Sequence, residues 1–390
     1  MPKLQMIAPA PVIEMADGNL RLDVKYVEGM RIHVEQWDGP VACILKRGAT
    51  DIPFGATYNP NDLEFDLEII SEDAPITVDG LNKNDLIFAG ADMHDVLHLA
   101  DPGQRPTGTK IVYSIEYDLG TRIRIASLDE SKSFLRKVRS KLWLINQERR
   151  RRTALRSCDG IQANGYPAFE AYSSLNKQSM LYLDGRMGRD AMATQDEQAA
   201  RARYLQSGAP LRLVHSGRLE QMKGAQDLIP VVRALRQSGI EFTLDVFGLG
   251  SLTSEIETAV SQEGLSDCVR IHGAVDFDEV LVPFFRRNAD LFLSCHRQSD
   301  PSCTYLESMG CGIPIVGYRN SMWRNLAEKS GGGWAVPMGR TKDLAGKIAS
   351  LDSDRQQLKD AGELGLRFAE NHAFEDEFSK RMDHLSSLVT

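Results

Sequence analysis

Residues that could bind an anion lie in two short turns in the second half of the chain. Arg218 and Lys223 supply positive charge, and an arginine fork matches the geometry of a phosphate group. Gly217, Gly248 and Gly250 lie in the same turns, where glycine lets the backbone approach a ligand closely. Because each turn follows a predicted strand, we expect the turns to meet at one sheet edge and to hold a diphosphate.

A later segment, from Leu291 to Tyr318, has the pattern of strand, loop, short helix and strand. Asp300-Pro301 predicts the helix start, with an acceptor side chain at the N-cap and proline at the first helical position. Free N–H groups there would form an anion site, and Glu307 one turn inside could accept two hydroxyls of a sugar. The alternative is that Glu307 only closes the helix end, because Thr304 and Glu307 have capping-box spacing.

The first half offers a comparable group at the end of the strand predicted for Lys110–Ile115. Glu116, Tyr117 and Asp118 follow this strand, and strand ends in open α/β sheets face the ligand crevice. Two carboxylates and a phenol there could hold an acceptor hydroxyl or act as a base. The alternative interpretation is a solvated turn.

A helix predicted for Ser131–Ser157 reverses the charge of an otherwise acidic chain. Its basic residues are Lys132, Arg136, Lys137, Arg139, Lys141, Arg149, Arg150, Arg151, Arg152 and Arg156, and its apolar residues include Phe134, Leu135, Val138, Leu142, Trp143 and Ile145. Such a helix can lie on an anionic membrane surface, and a core helix with a solvated basic face is the alternative. RNA binding is the weakest interpretation, because aromatic residues are not interleaved with the charges.

Two sets of strands and helices must position these segments. In the first third, strands are predicted at Leu4–Ile7, Met30–Val34, Val41–Leu45, Leu86–Ala89 and Lys110–Ile115. In the second half, strands alternate with helices at the spacing of βαβ units, which predicts a parallel doubly wound sheet. Ser207–Pro210 is the predicted linker, so we expect domains at residues 1–206 and 207–373.

Composition narrows the classes of function. The 390 residues carry a net charge of −8, which argues against a general nucleic-acid binder. No run of 18 apolar residues is present and the first residues lack a signal-peptide core, so we expect a cytoplasmic protein. The six cysteines are scattered, which suits a reducing compartment and argues against structural zinc. Cys303 could pass for a nucleophile, but a small packing residue is favoured because no histidine is adjacent in sequence.

The order of four segments, GRLEQMKG, DVFGLG, RIHGAV and NADLFLSCHRQSDPSCTYLESMGCGIPIVG, resembles the C-terminal domain of the retaining glycosyltransferase family 4. The resemblance covers residues 211–350, and earlier residues match only in CDGIQAN and LYLDGRM. It implies an α/β protein of the GT-B fold, with two Rossmann-like doubly wound domains that face each other across a cleft. The donor would bind the second domain and the acceptor the first, and residues 374–390 would pack back on the first.

The resemblance also implies roles for particular residues. Arg218 and Lys223 match the family's diphosphate-binding pair, and Val275 lies where the family contacts the nucleotide base. Glu307 matches the second Glu of the family's E-x7-E motif, which is expected on the ribose, and the amides of Ser302–Thr304 would face the diphosphate. The residues assigned to catalysis are Arg218, Lys223, Glu116 and Asp300, and those assigned to donor binding are Gly217, Gly248, Gly250, Val275, Ser302, Cys303, Thr304 and Glu307.

The chain departs from the family pattern at three places. The first Glu of E-x7-E falls on Ser299, with Asp300 displaced by one residue. The strand-end histidine of the first domain is replaced around Ile115-Glu116, and PAPVIEM stands where a glycine-rich loop is usual.

The function implied is a retaining, metal-independent transfer of a hexose-like sugar from a nucleotide-diphosphate sugar to an acceptor hydroxyl. The acceptor would be a sugar or lipid-linked sugar in polysaccharide or glycolipid assembly, and the basic helix would bring the protein to the inner membrane face. We expect no cofactor besides the donor substrate and no nucleic-acid partner. The alternatives are a catalytically degenerate nucleotide-sugar-binding protein, or a nucleotide-sugar epimerase or phosphorylase on the same fold.

Overall fold

The chain folds into two α/β units, each built on its own sheet. The computed structural model describes residues 1–48, 51–52, 55–128 and 133–389. The first unit comprises Met1–Leu119, Phe134–Tyr182 and Phe378–Thr390, and the second comprises Gly120–Ser133 and Leu183–Glu377. Ser131 and Lys132 of the predicted basic helix lie outside the described residues.

The described residues form the following strands and helices. The strands are β1 (Leu4–Glu14), β2 (Leu20–Asp23), β3 (Val41–Lys46), β4 (Gly55–Tyr58), β5 (Asp66–Ile70), β6 (Leu86–Gly90), β7 (Lys110–Ile115), β8 (Gly160–Asn164), β9 (Ser179–Tyr182), β10 (Leu211–Ser216), β11 (Phe242–Phe247), β12 (Val269–Gly273), β13 (Leu291–Ser294), β14 (Ile315–Tyr318) and β15 (Gly333–Val336). The α-helices are α1 (Val24–Gln36), α2 (Leu119–Leu128), α3 (Phe134–Ser157), α4 (Gly165–Tyr172), α5 (Gln195–Gln206), α6 (Leu228–Ser238), α7 (Thr253–Gln262), α8 (Val282–Asn288), α9 (Thr304–Gly310), α10 (Ser321–Ser330), α11 (Thr341–Ser353), α12 (Gln356–Glu370) and α13 (Phe374–Ser386).

The sheet of the first unit is mostly parallel. Strands β5, β3, β1, β6, β7, β8 and β9 pair in parallel in that order. The long strand β1 also pairs through its end with β2, which pairs with β4, and both pairings are antiparallel. Strands such as β7 read as apolar runs because both faces of a parallel sheet are covered.

One predicted strand of this unit is wrong. Met30–Val34 lies in helix α1, whose N-cap Asp23 accepts a hydrogen bond from the Tyr26 amide. Val27 and Met30 are buried three residues apart, which is the spacing of one helix face. The strand prediction considered only the short apolar run and not the spacing of buried residues over the whole helix.

The sheet of the second unit is fully parallel, as predicted. Its strand order is β12-β11-β10-β13-β14-β15, so the order reverses between β10 and β13. Alternate strand residues such as Leu213, Leu244 and Leu293 enter one apolar cluster with helices α6, α7 and α11. In open α/β sheets, ligands bind beyond the carboxyl ends of the strands at such a switch point.

The predicted linker Ser207–Pro210 lies inside the second unit, which the chain enters after Tyr182. The reason is helix α5, whose Arg201 is buried against this unit. Its guanidinium donates hydrogen bonds to the carbonyls of Ala289 (2.7 Å) and Gly312 (2.8 Å). The loop-like SGAP composition marks a turn between α5 and β10 instead.

The chain returns to the first unit at Phe378. There Gln162 of β8 and Arg381 of α13 exchange hydrogen bonds, at 2.9 Å from Gln162 Nε2 to the Arg381 carbonyl and 3.0 Å from Arg381 Nε to Gln162 Oε1. These two bonds join the C-terminal helix to a strand far away in sequence.

Candidate functional site

The predicted anion-binding turns do gather at one edge of the second sheet. Gly217 and Arg218 follow β10, Gly248 and Gly250 follow β11, and Asp300 lies in the loop after β13. This edge includes the switch point between β10 and β13. At about 4.8 Å between strands, these loops are close neighbours.

Val275 and the segment Ser302–Thr304 lie on opposite sides of the turns after β10 and β11 along the same edge. Val275 is half-buried two residues beyond β12, and Ser302–Thr304 follows β13. Three strand spacings separate β12 from β13, which amounts to about 14 Å. The edge is therefore long enough to contact different parts of an extended ligand.

Two glycines let the turns after β10 and β11 touch each other. A Cβ atom on Gly248, whose φ is +121°, would lie 2.0 Å from the Gly217 carbonyl oxygen, and one on Gly250 would lie 2.4 Å from the Leu219 carbonyl oxygen. The Gly217 amide donates to the Phe247 carbonyl at 3.1 Å. These glycines are needed for contact between two protein loops, whereas the sequence had suggested only contact with a ligand.

A third glycine, Gly224, joins the turn after β10 to the end of β13. Its φ is +74°, and a Cβ atom there would lie 1.7 Å from the Cys295 carbonyl oxygen. Three adjacent strand ends are therefore tied together by backbone approaches that only glycine allows.

The two predicted cations have different environments. Arg218 is exposed, and its guanidinium forms no hydrogen bond or salt bridge with any residue that the structure describes. Lys223 is buried and forms an ion pair with Asp300, across the switch point. Arg218 is therefore available to an anion from solution, whereas Lys223 already has an anionic partner.

Glu220, which lies between these cations, holds the turn after β11. Ser251 donates to its carboxylate through the amide (2.9 Å) and the hydroxyl (2.5 Å). These hydrogen bonds, together with the charge of Arg218, hold the pKa of Glu220 below its usual value. The carboxylate thus remains charged and orders both turns.

Two histidines at the switch point escaped the sequence analysis. His215 is the fifth residue of β10, and His296 lies two residues after β13, and both are fully buried. Within the described chain, neither ring nitrogen of His296 has a hydrogen-bond partner, and Nε2 of His215 has none. The sequence feature that could have identified them is a histidine at the carboxyl end of an apolar strand or directly after it, because such strand ends face ligands.

These histidines are neutral at pH 7. Burial lowers the pKa of His215 to about 4. Burial, followed by the charges of Lys223 and His215, lowers the pKa of His296 well below its usual value. At pH 7 the two histidines therefore add no positive charge to that of Arg218 and Lys223 at this edge.

The predicted start of the short helix is wrong. Helix α9 begins at Thr304 with Cys303 as its N-cap, and no side chain of the described residues caps it. Asp300 does not cap the helix because its carboxylate pairs with Lys223. Pro301 precedes the helix and does not occupy its first position.

Glu307 lies in the first turn of α9 and is 6% exposed. The predicted capping box does not form, and the Thr304 hydroxyl lies 2.9 Å from the Ser302 hydroxyl. Cys303 is half-buried, and its thiol points to the Asp184 carboxylate at 3.9 Å. This contact and the partial burial of Cys303 agree with the packing interpretation.

Glu116 belongs to the first unit, where it follows β7 and its side chain is exposed. Its amide donates to Asp92 Oδ2 at 2.9 Å. The fully buried Arg151 donates to Asp92 Oδ1 (2.8 Å) and to the Tyr117 carbonyl (2.7 Å). The strand end that carries Glu116 is thus held by an ion pair whose arginine is fully buried.

Residues 196–367 match the family model of glycosyl transferases group 1. The matched segment contains Arg218, Lys223, Asp300 and Glu307. This part of the chain is a group 1 glycosyltransferase domain. The resemblance found in the sequence is confirmed at the level of this family.

Curated relatives of this glycosyltransferase domain match over part of their length. The amylovoran biosynthesis glycosyltransferase AmsK of Erwinia amylovora is 30% identical over 154 residues, which is 36% of each chain. The putative colanic acid biosynthesis glycosyltransferase WcaL of Escherichia coli (strain K12) is 29% identical over 160 residues, 37% of each chain. The chain thus aligns with little more than a third of the length of these relatives.

Solved structures match nearly the whole chain. The crystal structure of Anabaena Alr3699/HepE in complex with UDP has a TM-score of 0.66 at 17% identity and covers 99% of this chain and 100% of its own. Sucrose-phosphate synthase (tll1590) from Thermosynechococcus elongatus has a TM-score of 0.66 at 14% identity and covers 99% and 98%. These likenesses concern the fold, and the predicted GT-B class with two Rossmann-like units is confirmed.

Proposed function

We propose that this protein is a retaining glycosyltransferase of family 4 that moves a sugar from a nucleotide-diphosphate sugar to an acceptor hydroxyl. The observation that carries the proposal is the edge of the second sheet, where three glycine-tied strand ends surround Arg218 and Lys223 at the switch point. The names of the relatives that act in amylovoran and colanic acid biosynthesis support a role in polysaccharide or glycolipid assembly.

The proposed chemistry requires stabilisation of a departing diphosphate. The bond between the sugar's anomeric carbon and the diphosphate oxygen breaks, and a bond from the acceptor oxygen to the same face of that carbon forms. The acceptor's proton passes to the departing diphosphate. Arg218 and Lys223 would stabilise the negative charge that develops there, without a metal ion.

Other residues have proposed positions around this reaction. Glu307 would accept the ribose hydroxyls, Val275 would contact the base, and the amides of Ser302–Thr304 would face the diphosphate. Asp300 would lie beside the donor sugar, and Glu116 would hold the acceptor hydroxyl. The domain likeness to group 1 glycosyltransferases supports the assignments in the second unit.

The test is sugar transfer by the purified chain, with UDP-, GDP- and ADP-sugars as donors and Arg218→Ala compared with wild type. Because Arg218 is exposed and unpaired among the described residues, its loss should spare folding and lower kcat/KM about a hundredfold. Arg203→Ala is the matched control, since Arg203 is an equally exposed arginine on α5. Unchanged kinetics in Arg218→Ala would refute the assignment.

The same assay separates the alternatives. A requirement for inorganic phosphate would indicate a phosphorylase, and isomerisation of the donor without an acceptor would indicate an epimerase. Donor binding without turnover on any acceptor would indicate a degenerate binding protein, an alternative suggested by Ser299 at the first Glu of E-x7-E.

We further propose that the N-terminal half of α3 contacts an anionic membrane surface. Phe134, Leu135 and Leu142 are 77%, 78% and 64% exposed, and Trp143 is also exposed. Arg136, Lys137, Arg139 and Lys141 are interleaved with them. Exposed apolar side chains among cations fit the interface of an anionic bilayer better than a solvated helix face. No helix in the described part of the chain is long and apolar enough to cross a bilayer.

Not every arginine of the predicted basic helix belongs to this surface. Arg151 is fully buried and paired with Asp92, so it is a structural residue of the first unit. Replacement of Arg149–Arg152 together would therefore disturb folding as well as surface charge. The exposed N-terminal half of α3 is the better place for a test.

Sedimentation with vesicles of phosphatidylcholine, with or without phosphatidylserine, tests the surface. Leu142→Ser should weaken binding to the anionic vesicles at least about tenfold, because a leucine side chain that inserts into the bilayer contributes roughly 1.5–3 kcal/mol. Leu364→Ser is the control, since Leu364 is an exposed leucine of the second unit. Equal sedimentation of wild type and Leu142→Ser would contradict the proposal and with it the location at the inner membrane face.

A further inference from the structure

The ion pair between Lys223 and Asp300 lies where the proposed donor's diphosphate would bind. Lys223 follows β10 and Asp300 follows β13, so the pair spans the switch point of the second sheet. The side chains are only 8% and 11% exposed. A diphosphate that contacts Lys223 would therefore meet the Asp300 carboxylate as well.

The Asp300 carboxylate is incompletely satisfied in this arrangement. Its Oδ2 accepts from Lys223, whereas Oδ1 has no partner among the described residues. Burial of a charged oxygen without a hydrogen bond is unfavourable, and such a group in a native protein calls for an explanation. Oδ1 of Asp300 is thus open to a second hydrogen-bond donor.

Asp290 provides a contrast at the other end of β13. Its buried carboxylate accepts from Arg212 at both oxygens, with Nη2 at 2.8 Å from Oδ1, and Nε and the amide each at 3.0 Å from Oδ2. Both oxygens of this structural ion pair are used. The pair formed by Lys223 and Asp300 lacks that completeness.

We propose that Asp300 competes with the diphosphate for Lys223 and thereby favours release of the nucleotide product. This inference rests on the proposed transfer reaction. When the nucleotide sugar binds, the diphosphate replaces Asp300 as the ion-pair partner of Lys223. The released Asp300 carboxylate then accepts a hydrogen bond from a hydroxyl group of the donor sugar. After transfer, the sugar and its hydroxyl group leave with the acceptor. Asp300 then pairs with Lys223 again, which lowers the affinity of the site for the nucleoside diphosphate.

If Asp300 competes with the diphosphate for Lys223, its replacement should increase the affinity for a diphosphate, although Asp300 lies in the binding site. Removal of the Asp300 charge should strengthen the binding of a bare diphosphate, because the competing anion and its repulsion are both lost. A residue that only binds the sugar would leave the affinity for a bare diphosphate unchanged. Asp300→Asn keeps the size of the side chain and removes its charge.

The experiment is calorimetric titration with inorganic pyrophosphate, UDP, GDP and ADP, of which pyrophosphate is independent of the unknown base. Asp300→Asn should lower the Kd for pyrophosphate about tenfold, a size common for coupling between sites. Lys223→Met should raise it at least about tenfold, and Asp290→Asn should leave it unchanged. Asp300→Ala serves as a second variant, and its Kd should fall in the same direction.

The outcomes separate this inference from the proposed function. A wild type that binds diphosphates together with an Asp300→Asn variant of equal or weaker affinity would overturn the competition and leave the transferase proposal standing. Failure of all four ligands to bind any variant at millimolar concentration would overturn both. Tighter pyrophosphate binding, with product inhibition by the nucleotide at lower concentrations, would support the competition.

Discussion

The two units share a sheet plan but use their strand ends differently. In both, the parallel strand order reverses at a switch point, between β1 and β6 in the first and between β10 and β13 in the second. The second unit ties adjacent strand ends together through glycines and leaves Arg218 exposed. The first unit buries Arg151 against Asp92 at the end of its strands. An arginine near a strand end is therefore not necessarily a ligand-binding residue. Its role depends on whether it is buried and on whether the protein itself supplies an anionic partner.

The units differ in their surfaces as well. The N-terminal half of α3, in the first unit, exposes Phe134, Leu135 and Leu142. The chemistry proposed for the second unit depends on backbone geometry that is internal to it. The surface that we propose for membrane contact belongs instead to the first unit, the unit to which the proposal also assigns the acceptor.

The largest loss of stability is expected when the buried Arg151 of the first unit is replaced. Arg151→Met should lower the free energy of unfolding by about 3–5 kcal/mol, because it leaves Asp92 without its buried partner. Arg149→Met, at an exposed position of the same helix, should change it by less than about 0.5 kcal/mol. Denaturant titration measures both, and equal values for the two variants would contradict a structural role for Arg151.

A smaller effect is expected at the glycine contact of the second unit. Gly248→Ala should cost about 2–4 kcal/mol of stability and abolish pyrophosphate binding, because the new Cβ would collide with the Gly217 carbonyl. Gly239 also has a positive φ, of 75°, but a Cβ there meets nothing within 4 Å. Gly239→Ala should therefore cost only about 1–2 kcal/mol and spare binding. A similar loss of binding in both variants would show that backbone strain alone explains it.

The smallest expected effect is the contribution of one buried histidine in each unit to the pH dependence of stability. Burial lowers the pKa of His33 in the first unit to about 3 and that of His215 in the second to about 4. Because the unfolded chain takes up protons first, stability is complete above pH 6.5 and falls as the pH drops toward the folded values. Each histidine should cost about 1 kcal/mol between pH 6.5 and 5.5.

His33→Gln and His215→Gln should each remove about that much of the pH dependence between pH 6.5 and 5.5. Denaturant titrations at these two pH values measure the difference, whatever the variants cost at neutral pH. Parallel pH profiles of wild type and both variants would show that other groups control the acid sensitivity.

Much of the second unit was predictable because its signals are local. Alternation of strands and helices indicated the parallel sheet, and glycines and cations after successive strands indicated the edge where they meet. The start of α9 was not predictable, because Asp300 pairs with Lys223, 77 residues away in sequence, and does not cap the helix. His215 and His296 were missed for a related reason, since a histidine's burial depends on the packing of several strands.

The amino-acid sequence was enough to predict the class of fold, the glycosyltransferase resemblance of residues 211–350 and the edge at which charged and glycine residues collect. These follow from periodicity and from the order of short segments, which act over a few neighbouring residues. The folded structure was needed to show that Arg151 is buried while Arg218 is exposed, and that Lys223 forms an ion pair with Asp300. Desolvation and ion pairing depend on groups brought together from distant parts of the chain, so no local pattern can specify them.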